Sequence, residues 1–487
     1  MVRGRGRRSG SCPDCRALER ENRRLERELE KSRKETDKLR EENTGLRKAL
    51  EEARRSGKRQ AAPFSKGKPK KNPRRPGRKA GKEHGPSSWR PAPEHVDRIV
   101  DVPLPQRCPD PQCQGEVKET AVVPQYQTEI PPVQPVVTQF NVHVGCCVDC
   151  GRRVQGRHPE QTSDALGAAG SQVGPRVVAL AAELNKGLGV SFEKVCRVLE
   201  VSGGLKISRG GICQAIARLG EKAQPTYDAL VEKVRASPLV VPDETGWKVG
   251  GVLEWLWVFV TEMVTVYAIR GGRGFEEAAG ILGEDYDGRL VRDGWAPYRK
   301  FQKATHQSCL GHLLRRCHEN LETALRGTAR VPRAVMRILQ KALGLRDRRD
   351  AGSISPHGLL VATGRLRTEM DRLLEWRPTD DENRKLLKHL DNERDALFTF
   401  LEHPGVPATN WMAEQAIRPA VVTRKACGGN RTWSGARTQE VLASVLRTAN
   451  QQGHDPIDLL VPLLCSPTPI VAEALLGPIE AAKLTAT

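Results

Sequence analysis

Three closely spaced β-rich segments in the middle of the chain constrain the fold most. Residues 240–249, 255–264 and 265–270 are rich in Val, Trp and Tyr, which favours three strands joined by short turns. A helical pattern covers residues 275–282, and residues 288–291 have the composition of a fourth strand. We therefore predict a mixed α/β domain over residues 237–450.

Three acidic residues occupy positions where this order of elements would bring them together. Three strands, a helix and a further strand are the opening order of an RNase H-like fold, which clusters carboxylates across adjacent strands. Asp243 lies in the first strand and Asp293 directly follows the fourth. Glu414 lies in a short predicted helix with Asn410 as its cap and Pro419 as its stop. These residues are the candidate catalytic acids.

The sequence between Asp293 and Glu414 has a different pattern. From about residue 313 to 402 it is mostly helical, with a break near residues 352–358, which indicates a helical insertion into the α/β domain. Residues 451–487 form a C-terminal segment.

The length and charge of the chain narrow the class of protein. Its 487 residues suffice for about three domains. With 79 basic and 59 acidic residues, the net charge is +20, which favours a polyanionic partner such as nucleic acid. Glu254 and Glu262 interrupt the most apolar stretch, and the first residues lack a secretory pattern. We expect a cytoplasmic protein without a membrane span.

A seven-residue leucine repeat predicts a leucine-zipper coiled coil over residues 16–53. The repeat consists of Leu18, Leu25, Leu39 and Leu46, with Ser32 in the remaining position. Asn22 and Asn43 occupy a-type positions, where a polar residue favours a parallel pair of helices. A homodimer or higher oligomer is the expected result, and a solvated single helix is the alternative.

Basic segments flank the zipper on both sides. Residues 1–15 are basic and contain the pair Cys12 and Cys15. Residues 54–84 are predicted to be a disordered linker, because positions 54–82 contain thirteen Lys or Arg residues, four prolines and no acid. Such a segment suits sequence-independent phosphate contact, although it could also be a simple tether.

Two cysteine pairs predict a zinc-binding segment over residues 85–160. Cys108 and Cys113 form the first pair, Cys147 and Cys150 the second, and β-rich sequence separates them. Four thiolates close a tetrahedral structural Zn²⁺ site, and the glycine after Cys150 suits a tight knuckle. Cys146 competes with Cys147 as a ligand. Unligated thiols are the alternative.

Residues 161–236 are helical by periodicity. Within them, residues 192–199 and 208–219 form two predicted helices around a Gly-Gly break. The pair is compatible with a helix-turn-helix that contacts DNA, and equally with any two packed helices.

Five motifs in this order resemble transposases of IS66-type insertion elements, the TnpC proteins. They are PDETGWKV, LEWLWVFVT, VRDGWAPY, HQSCLGHLLRRC and NWMAEQAIRPAVVTRKACGGNRTWSGA. The resemblance covers nearly the whole chain and implies a DDE transposase with Asp243, Asp293 and Glu414 as its catalytic acids. Such an enzyme uses Mg²⁺ or Mn²⁺ to cleave terminal inverted repeats and to join them to target DNA. The resemblance also implies companion proteins of the element and a nucleoid-associated location.

A basic and aromatic stripe follows Glu414 and suits contact with a DNA strand. It consists of Arg418, Arg424, Lys425, Arg431, Trp433 and Arg437. The alternative is a solvated face with an ion pair between Glu414 and Arg418.

Other positions leave rival interpretations open. Cys309 and His312 match a Cys-x-x-His element of the family, for which we favour structural packing over a second zinc site. Trp411 and Gln415 depart from the family pattern around the last acid. A catalytically inactive DNA-binding derivative is therefore the alternative function, and an RNase H-type nuclease is the third.

Overall fold

The computed structural model describes residues 21–39, 41–43, 92–131, 133–170, 172–324 and 327–477. The chain divides into two compact units, Met1–Thr128 and Glu129–Thr487. The segment with Cys12 and Cys15, the basic linker, and Leu18 and Leu46 of the zipper lie outside the described residues. No helix in the described ranges is long and apolar enough to span a membrane.

The first unit contains part of the predicted zipper. Residues 21–39 and 41–43 are helical and form α1. Leu25, Leu29 and Leu39 on this helix are each more than half exposed. A helix fits both the predicted zipper and the single-helix alternative, so the coiled coil remains a prediction.

In the second unit, four helices precede the sheet, as the periodicity predicts. They are α2 (Pro175–Ala182), α3 (Phe192–Gly203), α4 (Arg209–Lys222) and α5 (Gln224–Arg235), with a π-helical turn at Glu183–Gly187. Hydroxyl caps start the two middle helices: Ser191 accepts from the Lys194 amide and Ser208 from the Gly211 amide. The predicted pair of helices around a glycine turn is confirmed.

A five-stranded mixed sheet forms the centre of the second unit. Its strands are β3 (Leu239–Val249), β4 (Val252–Val260), β5 (Thr265–Arg270), β6 (Arg289–Arg292) and β7 (Thr305–Ser308), with α6 (Phe275–Leu282) between β5 and β6. The spatial order is β5-β4-β3-β6-β7; β4 is antiparallel to β3 and β5, while β6 is parallel to both β3 and β7. A short hairpin of β1 (Val144–Cys146) and β2 (Arg153–Gln155) precedes it. The predicted mixed α/β architecture is confirmed, and β7 is an additional strand.

Helices cover both faces of the sheet. The helical insertion contains α7 (Leu310–Thr323), α8 (Arg330–Asp350), α9 (Pro356–Leu374), α10 (Asp381–Asn392) and the short α11 (Thr399–Glu402). It packs on one face together with α12 (Trp411–Cys427). The opposite face is covered by α2–α6 with α13 (Trp433–Gln452) and α14 (Pro456–Cys465). Each buried face of the sheet therefore has its own apolar core.

Side chains of α13 accept hydrogen bonds from the backbone amides of β5, the strand at one edge of the sheet. The backbone amides of alternate β5 residues donate to the Thr448 and Ser444 hydroxyls at 3.1 and 2.8 Å and to the Glu440 carboxylate at 2.8 Å. An uncovered edge strand would expose unpaired amides to other chains. This helix protects the edge while packing on the sheet.

Two prolines lie inside regular secondary structure, one in α12 and one in β3. Pro419 does not stop its helix, because α12 continues to Cys427. The ring removes one amide donor, and within this disturbed turn the Tyr267 hydroxyl donates to the Ala416 carbonyl at 2.5 Å. Pro242 fits in β3 because the parallel ladder to β6 ends at Val240, before the proline would have to donate to it.

Asn410 begins α12 without the side-chain cap that the sequence predicts. It occupies the N-cap position of α12, as predicted, but its side chain makes no capping hydrogen bond. The Asn410 side chain is fully buried, and neither its Oδ1 nor its Nδ2 has a hydrogen-bond partner among the described residues.

Replacement of Gly429 by alanine should destabilise the protein strongly. The loop before α13 docks on the end of β3, where the Asn430 amide donates to the Lys248 carbonyl at 2.8 Å. Gly429 has φ of 112°, and a Cβ there would lie 2.3 Å from the same carbonyl oxygen. We expect a loss of about 3 kcal/mol in the free energy of unfolding. Gly428, also at positive φ but in open space, is the matched control, for which Gly428→Ala should cost about 1 kcal/mol in denaturant titration.

Candidate active site

The register of the sheet gives Asp243 and Asp293 equivalent positions. Leu239 pairs with Arg289 in the parallel ladder between β3 and β6. Asp243 is four residues beyond Leu239, and Asp293 is four residues beyond Arg289. Because side chains alternate along a strand, equal offsets place both carboxylates on the same face, at the C-terminal end of the parallel strands.

Helix α12 brings Glu414 to this face. The helix packs on β3 and β4, and its Ala413 and Ala416 share a core with Val241 of β3. Val241 and Asp243 are two residues apart and therefore point to the same side of the sheet. Glu414 lies in the first turn of the helix with 38% of its side chain exposed.

Asp243 is mostly buried and lies within the electrostatic influence of other carboxylates. Burial raises the pKa of Asp243 to about 7, and the nearby carboxylates of Glu244, Asp293 and Glu414 add to the increase. Among the described residues, however, no three His, Cys, Asp or Glu side chains have a geometry that could hold a metal ion. Within the described ranges, the three acids therefore do not form a closed set of metal ligands.

The donor set nevertheless suits a hard divalent cation. Asp243, Asp293 and Glu414 offer only carboxylate oxygens, the ligands that Mg²⁺ and Mn²⁺ prefer. A cation would also relieve the mutual repulsion that contributes to the raised pKa of Asp243. The residues present therefore fit such a group in their chemistry.

The raised pKa of Asp243 predicts a pH-dependent stability in the metal-free protein. A carboxyl group that binds its proton more tightly when folded stabilises the fold below its ordinary pKa, and this contribution is lost as the pH rises through about 7. In EDTA, the melting temperature of Asp243→Asn minus that of the wild type should therefore increase as the pH rises from 5 to 8. A constant difference between the two proteins across this range would contradict the assignment.

Glu244 points away from the three acids, as its neighbouring position in the strand predicts. Its carboxylate accepts from the Tyr298 hydroxyl at 2.6 Å and pairs with the Arg273 guanidinium at 2.5 Å. Arg273 also lies over the rings of Trp255 and Trp295, with its guanidinium carbon 4.9 and 4.0 Å from the ring centroids. This group supports the opposite face of the sheet beneath Asp243.

A buried ion-pair network anchors the strand end that presents Asp293. Arg292, 2% exposed, pairs with the fully buried carboxylate of Glu393, to which Arg299 also donates at 2.8 Å. The Arg292 guanidinium also donates to the Asp293 carbonyl at 2.9 Å. Sequence reasoning missed Glu393 because it lies 100 residues away, in the helical insertion, without a motif of its own.

The basic stripe after Glu414 divides into exposed and engaged residues. Arg418, Lys425 and Arg431 are exposed, as is Trp433, at 53%. Two other arginines are engaged within the protein. The guanidinium of Arg424 donates to the Gly246 carbonyl and the Thr245 hydroxyl, and that of Arg437 pairs with Glu440 and lies over the Tyr227 ring.

The ion pairs of Glu414 differ from the predicted alternative. In the described part of the chain, its carboxylate lies 3.8 Å from His312 Nε2 and 3.9 Å from the Arg315 guanidinium, rather than pairing with Arg418. Cys309 is buried, and its sulfur accepts a hydrogen bond from the backbone amide of Asn410 at 3.3 Å. Burial raises the pKa of the Cys309 thiol. The Cys-x-x-His element therefore packs beside Glu414 and α12.

The two cysteine pairs each lie in a tight turn. In the first unit, the Cys108 amide donates to the Gly115 carbonyl at 2.9 Å. In the second unit, the Cys147 amide donates to the Arg152 carbonyl, and Gly151 at φ 70° closes the turn by donating to Cys147. Hydrogen bonds from Cys150 lower the pKa of Cys147. Each turn suits a thiolate pair, and the shared Zn²⁺ site remains a prediction.

The segment between the cysteine pairs is less regular than its composition predicts. Among the described residues from 117 to 143, none is in a strand, and only β1 and β2 pair nearby. Val136 and Val137 in this segment are almost fully exposed. The β-branched residues of this segment therefore do not pair with another strand in the described ranges.

Comparison with known proteins gives two matches. A family model described as "Transposase IS66 family" matches residues 170–438, more than half of the chain. An "Uncharacterized protein y4qI" of Sinorhizobium fredii (strain NBRC 101917 / NGR234) is 23% identical over 292 residues, which cover 53% of this chain and 53% of that protein. The chain thus spans about half the length of this curated relative.

Proposed function

The chain belongs to the IS66 family of transposases, and we propose that it binds the terminal inverted repeats of an insertion element and catalyses DNA cleavage and strand transfer. Asp243, Asp293 and Glu414 are its catalytic acids in this proposal. The sheet order β5-β4-β3-β6-β7, with one antiparallel half, supports an RNase H-like arrangement of the domain.

The observation that carries this proposal is the equal register of Asp243 and Asp293 on one face of the sheet, against which the helix of Glu414 packs. The equal offsets of Asp243 and Asp293 in register, and the electrostatic effect of Asp293 and Glu414 on Asp243, support a common site. A buried carboxyl group whose pKa is raised by burial and by neighbouring carboxylates, as for Asp243, is typical of functional sites. A set of solvated surface acids would not raise the pKa of Asp243.

Mg²⁺ or Mn²⁺ is the proposed cofactor, held by Asp243, Asp293 and Glu414. When bound, such ions activate the attacking oxygen and stabilise the leaving oxygen in phosphoryl transfer. The protein itself supplies the placement of the carboxylates. Arg292 and Glu393 fix the strand end below Asp293, and His312 and Arg315 lie beside the Glu414 carboxylate.

Substrate binding in this proposal uses the exposed basic surface. Arg418, Lys425 and Arg431 would contact phosphates, and the half-exposed Trp433 would stack on a base. The basic linker adds contacts without sequence specificity, and residues 16–53 pair two copies so that two DNA ends can be held together.

The direct test uses purified full-length protein and the DNA that flanks its gene. With Mg²⁺, the protein should cleave at inverted repeats found there and join the released ends to a target plasmid, and EDTA should abolish both products. Binding of the repeats without cleavage would instead indicate the inactive DNA-binding derivative. Cleavage of RNA–DNA hybrids without any requirement for these ends would indicate a nuclease.

A structural Zn²⁺ held by Cys108, Cys113, Cys147 and Cys150 is also part of the proposal. Metal analysis of the purified protein should find about one zinc per chain. The double variant Cys147→Ser, Cys150→Ser should lose that zinc, whereas Cys146→Ser should retain it and so serves as the matched control. Equal zinc content in the double variant and the wild type would reject these ligands.

A further inference from the structure

A partly enclosed cavity of about 330 Å³ lies behind the helix that carries Glu414. Its walls come from the π-helical turn Glu183–Gly187, from α12 and α13, and from Leu256 and Tyr267 of the sheet. The cavity has the size of a small-ligand site. It opens beside Leu188 and Asn450, which are both exposed.

Lys186 contributes a buried positive charge to the wall of this cavity. The residue is only 9% exposed, and its ammonium lies 5.6 Å from the centroid of the Phe192 ring. Among the described residues, no carboxylate pairs with this ammonium and no carbonyl accepts from it. Burial lowers the pKa of Lys186 to about 8. A mostly buried charge without a partner is costly, and an anion that enters the cavity would offset this cost.

Arg447 provides a second cationic donor in the lining of the cavity. Its Nε is buried and has no hydrogen-bond partner among the described residues. A guanidinium cannot lose its proton in a protein, so this donor gains most from an acceptor that enters the cavity. Gln439, which is almost fully buried, also lines the cavity and offers an amide.

The single acid of the cavity does not neutralise these charges. Glu183 has one carboxylate oxygen that is buried without a partner, and burial raises its pKa. Lys186 and Arg447 are therefore the cationic groups of the lining, and neither pairs with Glu183 among the described residues.

We propose that this cavity is a binding site for a phosphate group, held between Lys186 and Arg447. A phosphate offers several acceptor oxygens to an ammonium and to a guanidinium at once. Its source is a free phosphate-bearing molecule or the backbone of bound DNA, which share this chemistry. The site is separate from the three acids, because it lies at Pro419, Ala420 and Thr423 of α12, beyond the first turn of that helix.

Occupancy of the site would connect α12 to α13 and to the π-helical turn. Gly187 and Gly189 keep the wall tight, since a Cβ at either position would lie 2.4 Å from Glu183 or from Thr423. π-Helical turns often occur at functional sites. A bound phosphate would therefore stabilise the packing of the helix that carries Glu414.

Thermal unfolding of the full-length protein tests the proposal at constant ionic strength. Inorganic phosphate should raise the melting temperature of the wild type by about 2–4 °C relative to chloride. Lys186→Met and, independently, Arg447→Gln should each abolish this rise. Because Lys186→Met removes an unpaired buried charge, its melting temperature in chloride should equal or exceed that of wild type.

The matched control is Lys388→Met, which removes an equal charge from an exposed position on α10 and should leave the phosphate effect intact. A short single-stranded oligonucleotide provides the second arm of the test. If its binding weakens more in Lys186→Met than in Lys388→Met, the DNA backbone supplies the phosphate; if only inorganic phosphate depends on Lys186, a free molecule does. Absence of a phosphate effect in the wild type, or its persistence in Lys186→Met, would overturn the proposal, whatever the outcome of the strand-transfer assay.

Discussion

Asp293→Asn should reduce DNA cleavage and strand transfer by about 10³-fold or more while leaving the binding of inverted-repeat DNA within about twofold. The substitution keeps the shape of the side chain and its hydrogen bond from the Trp295 amide, but it removes the negative charge. A neutral amide is a poor ligand for a divalent ion that three carboxylates would otherwise share. Cleavage of labelled repeat DNA and a gel-shift titration measure the two effects separately.

Asp287→Asn is the matched control for this experiment. Asp287 is an exposed acid shortly before the same strand, so its replacement changes the net charge equally without reaching the site. It should leave both activities near those of the wild type. An Asp293→Asn protein that still cleaves, or one that loses DNA binding and cleavage together, would remove Asp293 from the proposed catalytic set.

The position of this residue shows how far the sequence alone could lead. The composition of the segments predicts the strand that carries Asp243 and the strand that precedes Asp293. The structure adds the parallel register, in which both acids lie four residues beyond a paired position. Glu414 depends on a capped helix and on the motif resemblance, because the helical insertion separates it from the sheet. The motif resemblance implies all three acids, whereas the strand pattern supports only Asp243 and Asp293.

The missed features depend on contacts between distant segments. Strand β7 is only four residues long and reads Thr-His-Gln-Ser, so its composition gives no strand signal. Its place in the sheet comes from pairing with β6. Similarly, α12 continues through Pro419 because tertiary packing on β3 and β4 outweighs the local cost of the proline. Local propensity could not indicate either outcome.

Glu393 is the residue whose importance was least visible in the sequence and whose loss should be most damaging to the fold. Its fully buried carboxylate receives Arg292 from the sheet and Arg299 from the following turn. Glu393→Ala would leave Arg292, itself 2% exposed, as an unpaired charge in the core. We expect a loss of about 3–5 kcal/mol in the free energy of unfolding, measured by denaturant titration.

Two further variants separate the ion pair from a general effect of truncation. Glu369→Ala removes a more exposed glutamate that pairs with Lys341 in the same insertion, and should cost less than about 1 kcal/mol. The double variant Arg292→Met, Glu393→Met removes the central pair together and should be less destabilised than Glu393→Ala, because neither of these two charges then remains buried without the other. Since Arg292 directly precedes Asp293, Glu393→Ala should also lower strand transfer under conditions where the protein remains folded. A small stability change in Glu393→Ala, comparable to that of Glu369→Ala, would show that the network does not hold the insertion to the strand that presents Asp293.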